Sequence, residues 1–306
     1  MPSPIWKLPM SPPEKHAIRM THLGAAGWEI TDGHTIVLLD PFPSRIRYKG
    51  KAFGTTDAPT HPGDERPVYG LDDPVYSDVA EIDRRIRGAH YILVSHSHFN
   101  HCMDVPYIAC KYGAKIIGSS SSANIAAAYG VPDEQIYAVH GGQDYQFPEL
   151  SVRVIPSLHS PLAGRHYYDG ETVPRTVKAP MRLGEFVEGG TYAYLLRMGG
   201  REILMFGSMN YIEREIEGLR PDAALVAAGK ARLNLYDYTG RLLRALGHPS
   251  LVVATHWDVQ ALPYGASQDE ALAQAETFAQ EVREVSPRAR VVIPRHFETV
   301  VLGASE

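Results

Sequence analysis

The stretch Ser95-His96-Ser97-His98-Phe99-Asn100-His101-Cys102-Met103-Asp104 decides how this chain is read. Three of its first seven residues are histidines, and it follows directly on Tyr91-Ile92-Leu93-Val94, a short apolar run with the length and composition of a buried strand. A strand end fixes the backbone and leaves the loop beyond it free to aim side chains. His96 and His98, alternate residues of an extended segment, can grip one ion together. Neutral imidazole suits Zn, Ni, Cu or Fe, with Zn the commonest hydrolytic choice. A metal centre is therefore expected at this strand end.

The surrounding composition bounds the rest. The chain has 306 residues, 44% hydrophobic and 21% charged, as in a soluble globular protein with a large core. A formal net charge of −5 without a Lys/Arg run argues against nucleic acid as a partner and favours a small-molecule substrate. No stretch approaches the roughly 18 consecutive apolar residues of a membrane span, and the Pro-, Lys- and Glu-containing start lacks a signal-peptide core. The expected location is cytoplasmic. Cys102 and Cys110 read as free thiols, and a homo-oligomer stays open.

Working outward, residues 1–14 are Pro-rich and read as an arm. Residues 22–30 and 35–40 read as two strands joined by the turn Thr31-Asp32-Gly33, the second stopped by Pro41 so that Asp40 ends an apolar run. Residues 42–77 form a long Pro/Gly/Asp-rich loop, a lid, binding loop or surface excursion. Short helices are expected at 78–88 and 105–112, a strand at 114–118 and a Ser-capped helix at 120–129. Strands follow at 135–139 and 150–156, then a Gly/Pro/Tyr-rich loop at 161–190. The second half alternates strands (192–197, 202–206, 223–227, 251–255, 291–294) with helices (211–219, 238–246, 269–285). Two strand-rich halves passing into strand-helix alternation predict two sheets with helices outside.

Two further histidines stand at strand ends: His159 after 150–156, and His256 after Val252-Val253-Ala254-Thr255. Residues so far apart in sequence converge only if those ends share one rim.

His96-Ser97-His98-Phe99-Asn100-His101 resembles the H-x-H-x-D-H motif of the metallo-β-lactamase superfamily, and the order of elements from about His22 to Pro294 is similar to that family's. The resemblance implies an α/β fold, an αββα sandwich, formed as one domain over residues 1–306 with loop insertions at about 42–77 and 161–190. The branch it suggests includes lactonase-like, N-acyl-phosphatidylethanolamine phospholipase-like and hydrolytic dehalogenase proteins. Carried over by position, His96, His98 and His159 hold a first metal ion, while Asn100, His101 and His256 fall where a second is bound. The usual bridging carboxylate falls at or near Ser208.

The chain departs from that pattern twice: Asn100 replaces the motif Asp, and Gly207-Ser208-Met209-Asn210 contains no Asp. A neutral amide or hydroxyl binds a divalent cation more weakly than a carboxylate does. One firmly held Zn on His96, His98 and His159 is expected, with a second ion weak or absent. An alternative places the metal on His101, His256 and the amide oxygen of Asn100 or Asn210. Asp40 is either an acceptor that orients a ligand imidazole or a strand-end cap. Asp104, Asp258 and Glu298 are spare carboxylates near the rim, and His296 is a weaker ligand candidate.

The function implied is a metal-dependent hydrolase using metal-bound hydroxide on an ester or lactone, a phosphodiester or an activated carbon-halogen bond. The alternatives are a catalytically impaired binding protein of the same fold, or an engineered Asp-to-Asn variant of an active hydrolase. Tyr167, Tyr168, Tyr236 and Tyr238 pack loops or line a pocket. Arg45, Arg47, Lys49 and Arg165 are solvated or bind an anionic group. Gly189-Gly190 and Gly199-Gly200 read as turns, and Ser119 to Ser122 as a helix cap.

Overall fold

Short β-branched and aromatic runs become strands in the computed structural model, which describes residues 16–49, 61–161 and 171–303. The arm at 1–14, Arg165, Tyr167 and Tyr168 lie outside the described residues, as do parts of the two long loops. The first strands are β1 (Ile18–Gly24), β2 (Gly27–Thr31), β3 (Ile36–Leu39) and the short pair β4 (Arg47–Tyr48) and β5 (Val68–Tyr69). Helix α1 (Val79–Arg85) leads into β6 (Tyr91–Leu93), followed by α2 (Phe99–Cys102), α3 (Val105–Tyr112), β7 (Lys115–Ser119) and α4 (Ser120–Ala128). Next come β8 (Ile136–Val139), β9 (Asp144–Gln146), β10 (Leu150–Pro156), β11 (Tyr192–Met198) and β12 (Arg201–Phe206). The remainder is α5 (Glu213–Ile216), β13 (Ala223–Ala227), α6 (Tyr238–Ala245), β14 (Leu251–Thr255), α7 (Asp269–Val285), β15 (Arg290–Val292) and β16 (Thr299–Leu302).

Two seven-stranded sheets result, ordered β16-β1-β2-β3-β6-β7-β8 and β15-β14-β13-β12-β11-β10-β9. Each is antiparallel on one side and parallel on the other: β3, β6, β7 and β8 run parallel, as do β12, β13, β14 and β15. Alternation along the strands sends one set of apolar side chains between the sheets, including Leu39, Leu93, Val154, Tyr194, Leu196 and Val253. The opposite face of the first sheet packs through Leu38, Ile92 and Ile116 on Ile82, Ile108 and Ile125 of the helices. The outer face of the second packs through Leu204, Val226 and Val252 on Leu242, Phe278 and Val282. This is the αββα sandwich. Each fully buried Leu, Ile or Val contributes about 1.5–3 kcal/mol of transfer free energy.

Polar contacts join the sheets near the rim. Tyr194 donates its hydroxyl to Val94 O at 2.7 Å and lies 3.2 Å from Ile117 O, and Trp28 Nε1 donates to Thr255 Oγ1 at 2.8 Å. The expected turn after β2 is held by Asp32 Oδ1, which accepts from His34 N and Thr35 N at 3.0 and 2.8 Å. Ser119 Oγ caps α4 by accepting from Ser122 N at 3.2 Å.

Several expectations need correction. Residues 22–30 are not one strand: the chain folds back at Ala25-Ala26, because Asp258 Oδ1 takes Ala25 N at 2.8 Å and Ala25 O takes His256 N at 2.9 Å. The helix expected at 211–219 shrinks to α5, since Tyr211 and the segment after Ile216 are drawn into side-chain and turn contacts. No strand was expected after 291–294, yet β16 pairs with β1 in the first sheet. No helix among the described residues is long and apolar enough to cross a membrane.

Candidate metal centre

The ends of β3, β6, β10, β12, β13 and β14 lie at one rim. There His96, His98 and His159 bring three ring nitrogens within 4.8 Å of one another, all from buried residues. Ring centroids are 4.8 Å apart for His96–His98 and His96–His159, and 4.7 Å for His98–His159. The His101 ring, tilted 43° to that of His96, has its centroid 3.9 Å away, and His256 lies 5.3 Å from His101. The five imidazoles line a cavity of about 110 Å³ with Tyr48, Phe99, Asn100, Ser160, Met209, Ala231 and Gln260.

The tautomers follow from the partners. His101 Nδ1 donates to Asp40 Oδ2 at 2.8 Å, since a carboxylate only accepts. Ser95 commits its single hydroxyl hydrogen to Asp40 Oδ2 at 2.5 Å, so the Ser95 Oγ to His96 Nδ1 contact at 3.0 Å must be donated by the imidazole. His159 Nδ1 donates to Ser160 O at 2.9 Å. Each of these rings therefore keeps a lone pair on Nε2. His96 Nε2 is buried and has no hydrogen-bond partner among the described residues.

Burial first, then the neighbouring imidazoles, push His96 and His98 well below the ordinary histidine value. Burial likewise lowers His159 to about 4, and burial with His101 lowers His256 to about 3. Imidazoles held neutral in this way are suited to bind a cation.

Backbone strain collects here. Asp40 (φ 41°) and His256 (φ 48°) both occupy the left-handed region, which is unfavourable for residues with a Cβ. The Asp40 turn is anchored by Ser95 N donating to Oδ1 at 2.7 Å. Gly207 must be glycine, because a Cβ there would overlap Ser95 Oγ and Asp40 Oδ2.

The family profile described as a beta-lactamase superfamily domain matches residues 19–256. The chain belongs to the metallo-β-lactamase superfamily. Among superfamily relatives, it is 26% identical over 251 residues to a UPF0173 metal-dependent hydrolase of Heliobacterium modesticaldum, covering 79% of this chain and 83% of that one. It is 31% identical over 190 residues to a UPF0173 metal-dependent hydrolase of Staphylococcus aureus (strain JH9), covering 61% and 76%. The metallo hydrolase Igni18 from Ignicoccus hospitalis shares the fold with a TM-score of 0.57 at 17% identity, over 94% of this chain and 100% of that one.

Against the superfamily pattern, the carboxylate-poor positions are occupied by other work. Asn100 Nδ2 donates to Gln260 Oε1 at 2.8 Å. Ser208 Oγ accepts from Ser160 N at 2.9 Å and donates to Ser160 Oγ at 3.2 Å, bracing the loop that carries His159. Asn210 donates Nδ2 to His159 O at 3.1 Å and accepts from Tyr211 N at 2.9 Å, so both ends of its amide serve the backbone and neither lines the cavity.

The other rim candidates sit elsewhere. Asp104 accepts from Ser44 N and Ser44 Oγ at 2.9 and 2.6 Å, and burial raises it to about 6 despite those bonds. His296 Nε2 bonds Asp258 Oδ2 at 2.8 Å, and Glu298 accepts from Arg295 N at 2.8 Å. Arg45 is neither solvated nor open to a ligand: it is buried against Asp258 at 2.7 Å. Burial would raise Asp258, but the Arg45 guanidinium and the His296 ring hold it well below the carboxylate range. Sequence reasoning missed Ser95 and Gln260. Ser95 was legible as the hydroxyl preceding the first histidine; Gln260 had no local signal.

Proposed function

We propose that the chain is a metal-dependent hydrolase that holds one firmly bound ion, zinc, on His96, His98 and His159 and acts on a small substrate in the adjoining cavity. The observation that carries this reading is the buried Nε2 of His96, without a hydrogen-bond partner among the described residues, beside two further neutral imidazoles. Membership of the superfamily and the hydrolase names of its relatives support it. When bound, such an ion supplies Lewis acidity and lowers the pKa of water to about 7.

The chain's own residues supply the rest. Asp40 and Ser95 fix the His96 and His101 tautomers, and Ser160 O fixes that of His159. With Nδ1 committed to Asp40, His101 presents the Nε2 lone pair as its remaining polar atom. Tyr48, Phe99, Met209 and Ala231 give the cavity an apolar wall that limits water. With Ser208 and Asn210 hydrogen-bonded to other groups and Asn100 a neutral amide in place of a carboxylate, a second ion would rest mainly on His101 and His256 and be weak. Suitable bonds are an ester or lactone, a phosphodiester or an activated carbon-halogen bond.

The test is metal analysis of the purified protein together with hydrolysis of chromogenic substrates for each bond type. We expect about one ion per chain, as three imidazole ligands imply, with both ion and turnover lost on His96→Ala or His98→Ala. Protein without stoichiometric metal, and indifferent to both substitutions, would overturn the proposal.

A further inference from the structure

Gln260 sits in a loop that is built to present it. Arg45 donates Nη2 to Val259 O and Nε to Leu262 O, each at 2.7 Å, and Arg66 Nη2 donates to Ala261 O at 2.7 Å. Val259 N is held by Gln268 Oε1 at 2.8 Å, and Asp258 anchors Arg45 Nη1 at 2.7 Å. The backbone on both sides of Gln260 is thus clamped by two guanidinium groups, one of them buried. The side chain between them is directed into the cavity, where its Oε1 meets Asn100 Nδ2.

That amide-to-amide bond leaves functions over. It uses one hydrogen of Asn100 and one acceptor of Gln260, so Gln260 Nε2 keeps two hydrogens and Asn100 Oδ1 keeps its lone pairs. Neither makes another hydrogen bond among the described residues. Apart from its imidazoles, the cavity lining contains no Asp, Glu, Lys or Arg among the described residues.

Resting on the hydrolase reading above, we infer that Gln260, paired with Asn100, is a specificity residue that hydrogen-bonds a neutral carbonyl or amide group of the substrate. The chemistry selects against a phosphodiester. That substrate enters as an anion and gains charge in its transition state, which calls for further cations, whereas this wall offers neutral dipoles. A carbonyl oxygen can accept from Gln260 Nε2, and an adjacent N–H or O–H can donate to Asn100 Oδ1. A site built to hydrogen-bond its substrate discriminates strongly when the partner is missing.

The probes are δ-valerolactam, a neutral ring amide, and dimethyl phosphate. Binding of each to the metal-loaded full chain is followed by ligand-observed NMR titration, for wild type, Gln260→Leu and Gln260→Glu, with metal content measured on every sample. Gln260→Glu keeps an acceptor for Asn100 but loses the donor, which separates recognition from packing. We expect the lactam to bind more tightly than the phosphate. Both substitutions should weaken lactam binding by about 10-fold, the size of one lost hydrogen bond, with metal content unchanged.

A phosphate that binds as tightly as the lactam, no lactam binding by wild type, or lactam binding indifferent to both substitutions would overturn the inference. So would a fall in metal content in both variants, which would make Gln260 part of the ion's support. Hydrolysis of 4-nitrophenyl acetate by the same samples separates the two claims. Gln260-dependent lactam binding without ester turnover overturns the hydrolase reading alone, and turnover with Gln260-independent binding overturns this one alone.

Discussion

Asp40 Oδ2 lies 2.8 Å from His101 Nδ1, and the same oxygen accepts the Ser95 hydroxyl that in turn takes the His96 hydrogen. One buried carboxylate thereby sets the orientation of two imidazoles in the cavity. Asp40→Asn can offer its amide hydrogens to Ser95 and His101 in place of an anion, disturbing both tautomers. Metal affinity is expected to fall about 10- to 100-fold, the usual cost of losing a partner behind a ligand. Chelator competition measures it; unchanged affinity would reduce Asp40 to a strand-end cap.

Acid should destabilise the metal-free protein. His22 is buried, and burial first, with His296 and Arg45 contributing, lowers it from 6.5 to about 4 although Asp258 acts the other way. Between those values the unfolded chain binds the proton and the folded chain does not, so stability rises with pH across the window and is lost as pH falls from 6.5 to about 4. His159 and His256 add in the same direction. Urea midpoints of the chelator-treated protein at pH 7.5, 5.5 and 4.5 should decrease in that order, and less steeply in His22→Leu.

Arg45 and Asp258 form an ion pair in which both side chains are almost fully buried. Arg45→Met leaves the Asp258 charge inside without its guanidinium partner, beside His296 and Ala25 N. A loss of about 3–5 kcal/mol is expected, as for other buried pairs broken from one side. Equilibrium denaturation checks this, and a change within 1 kcal/mol, the range of exposed pairs, would contradict it.

Tyr194 of the second sheet donates to Val94 O of the first, two residues before His96. Tyr194→Phe removes that donor and leaves a buried carbonyl with a lost partner, at a cost of about 1–3 kcal/mol. Thermal or urea unfolding measures the loss. Equal stability of the two proteins would mean that the carbonyl finds another donor.

Most of the fold was legible because its signals are local. The apolar run at 91–94, Asp40 at the end of β3 and the strand leading to His256 each declare a buried strand delivering a polar residue, and the order of elements did the rest. The missed elements lack such signals. β16 is four residues whose partner, β1, lies at the other end of the chain, and the break between β1 and β2 depends on Asp258, which holds Ala25 N from 233 residues away.

The same division runs through the site. The sequence by itself determined the superfamily, the cluster of histidines and the departures at Asn100 and Ser208, because residue identity and spacing along one strand end carry that information. Only the tertiary structure decided that His159 and His256 reach the same cavity, that Ser95 relays Asp40 to His96, that Asn210 is committed to the backbone and that Gln260 faces Asn100. Those relationships depend on which strand ends share a rim and on which loop two arginines clamp. They are set by packing between distant segments, and no local pattern of residues encodes them.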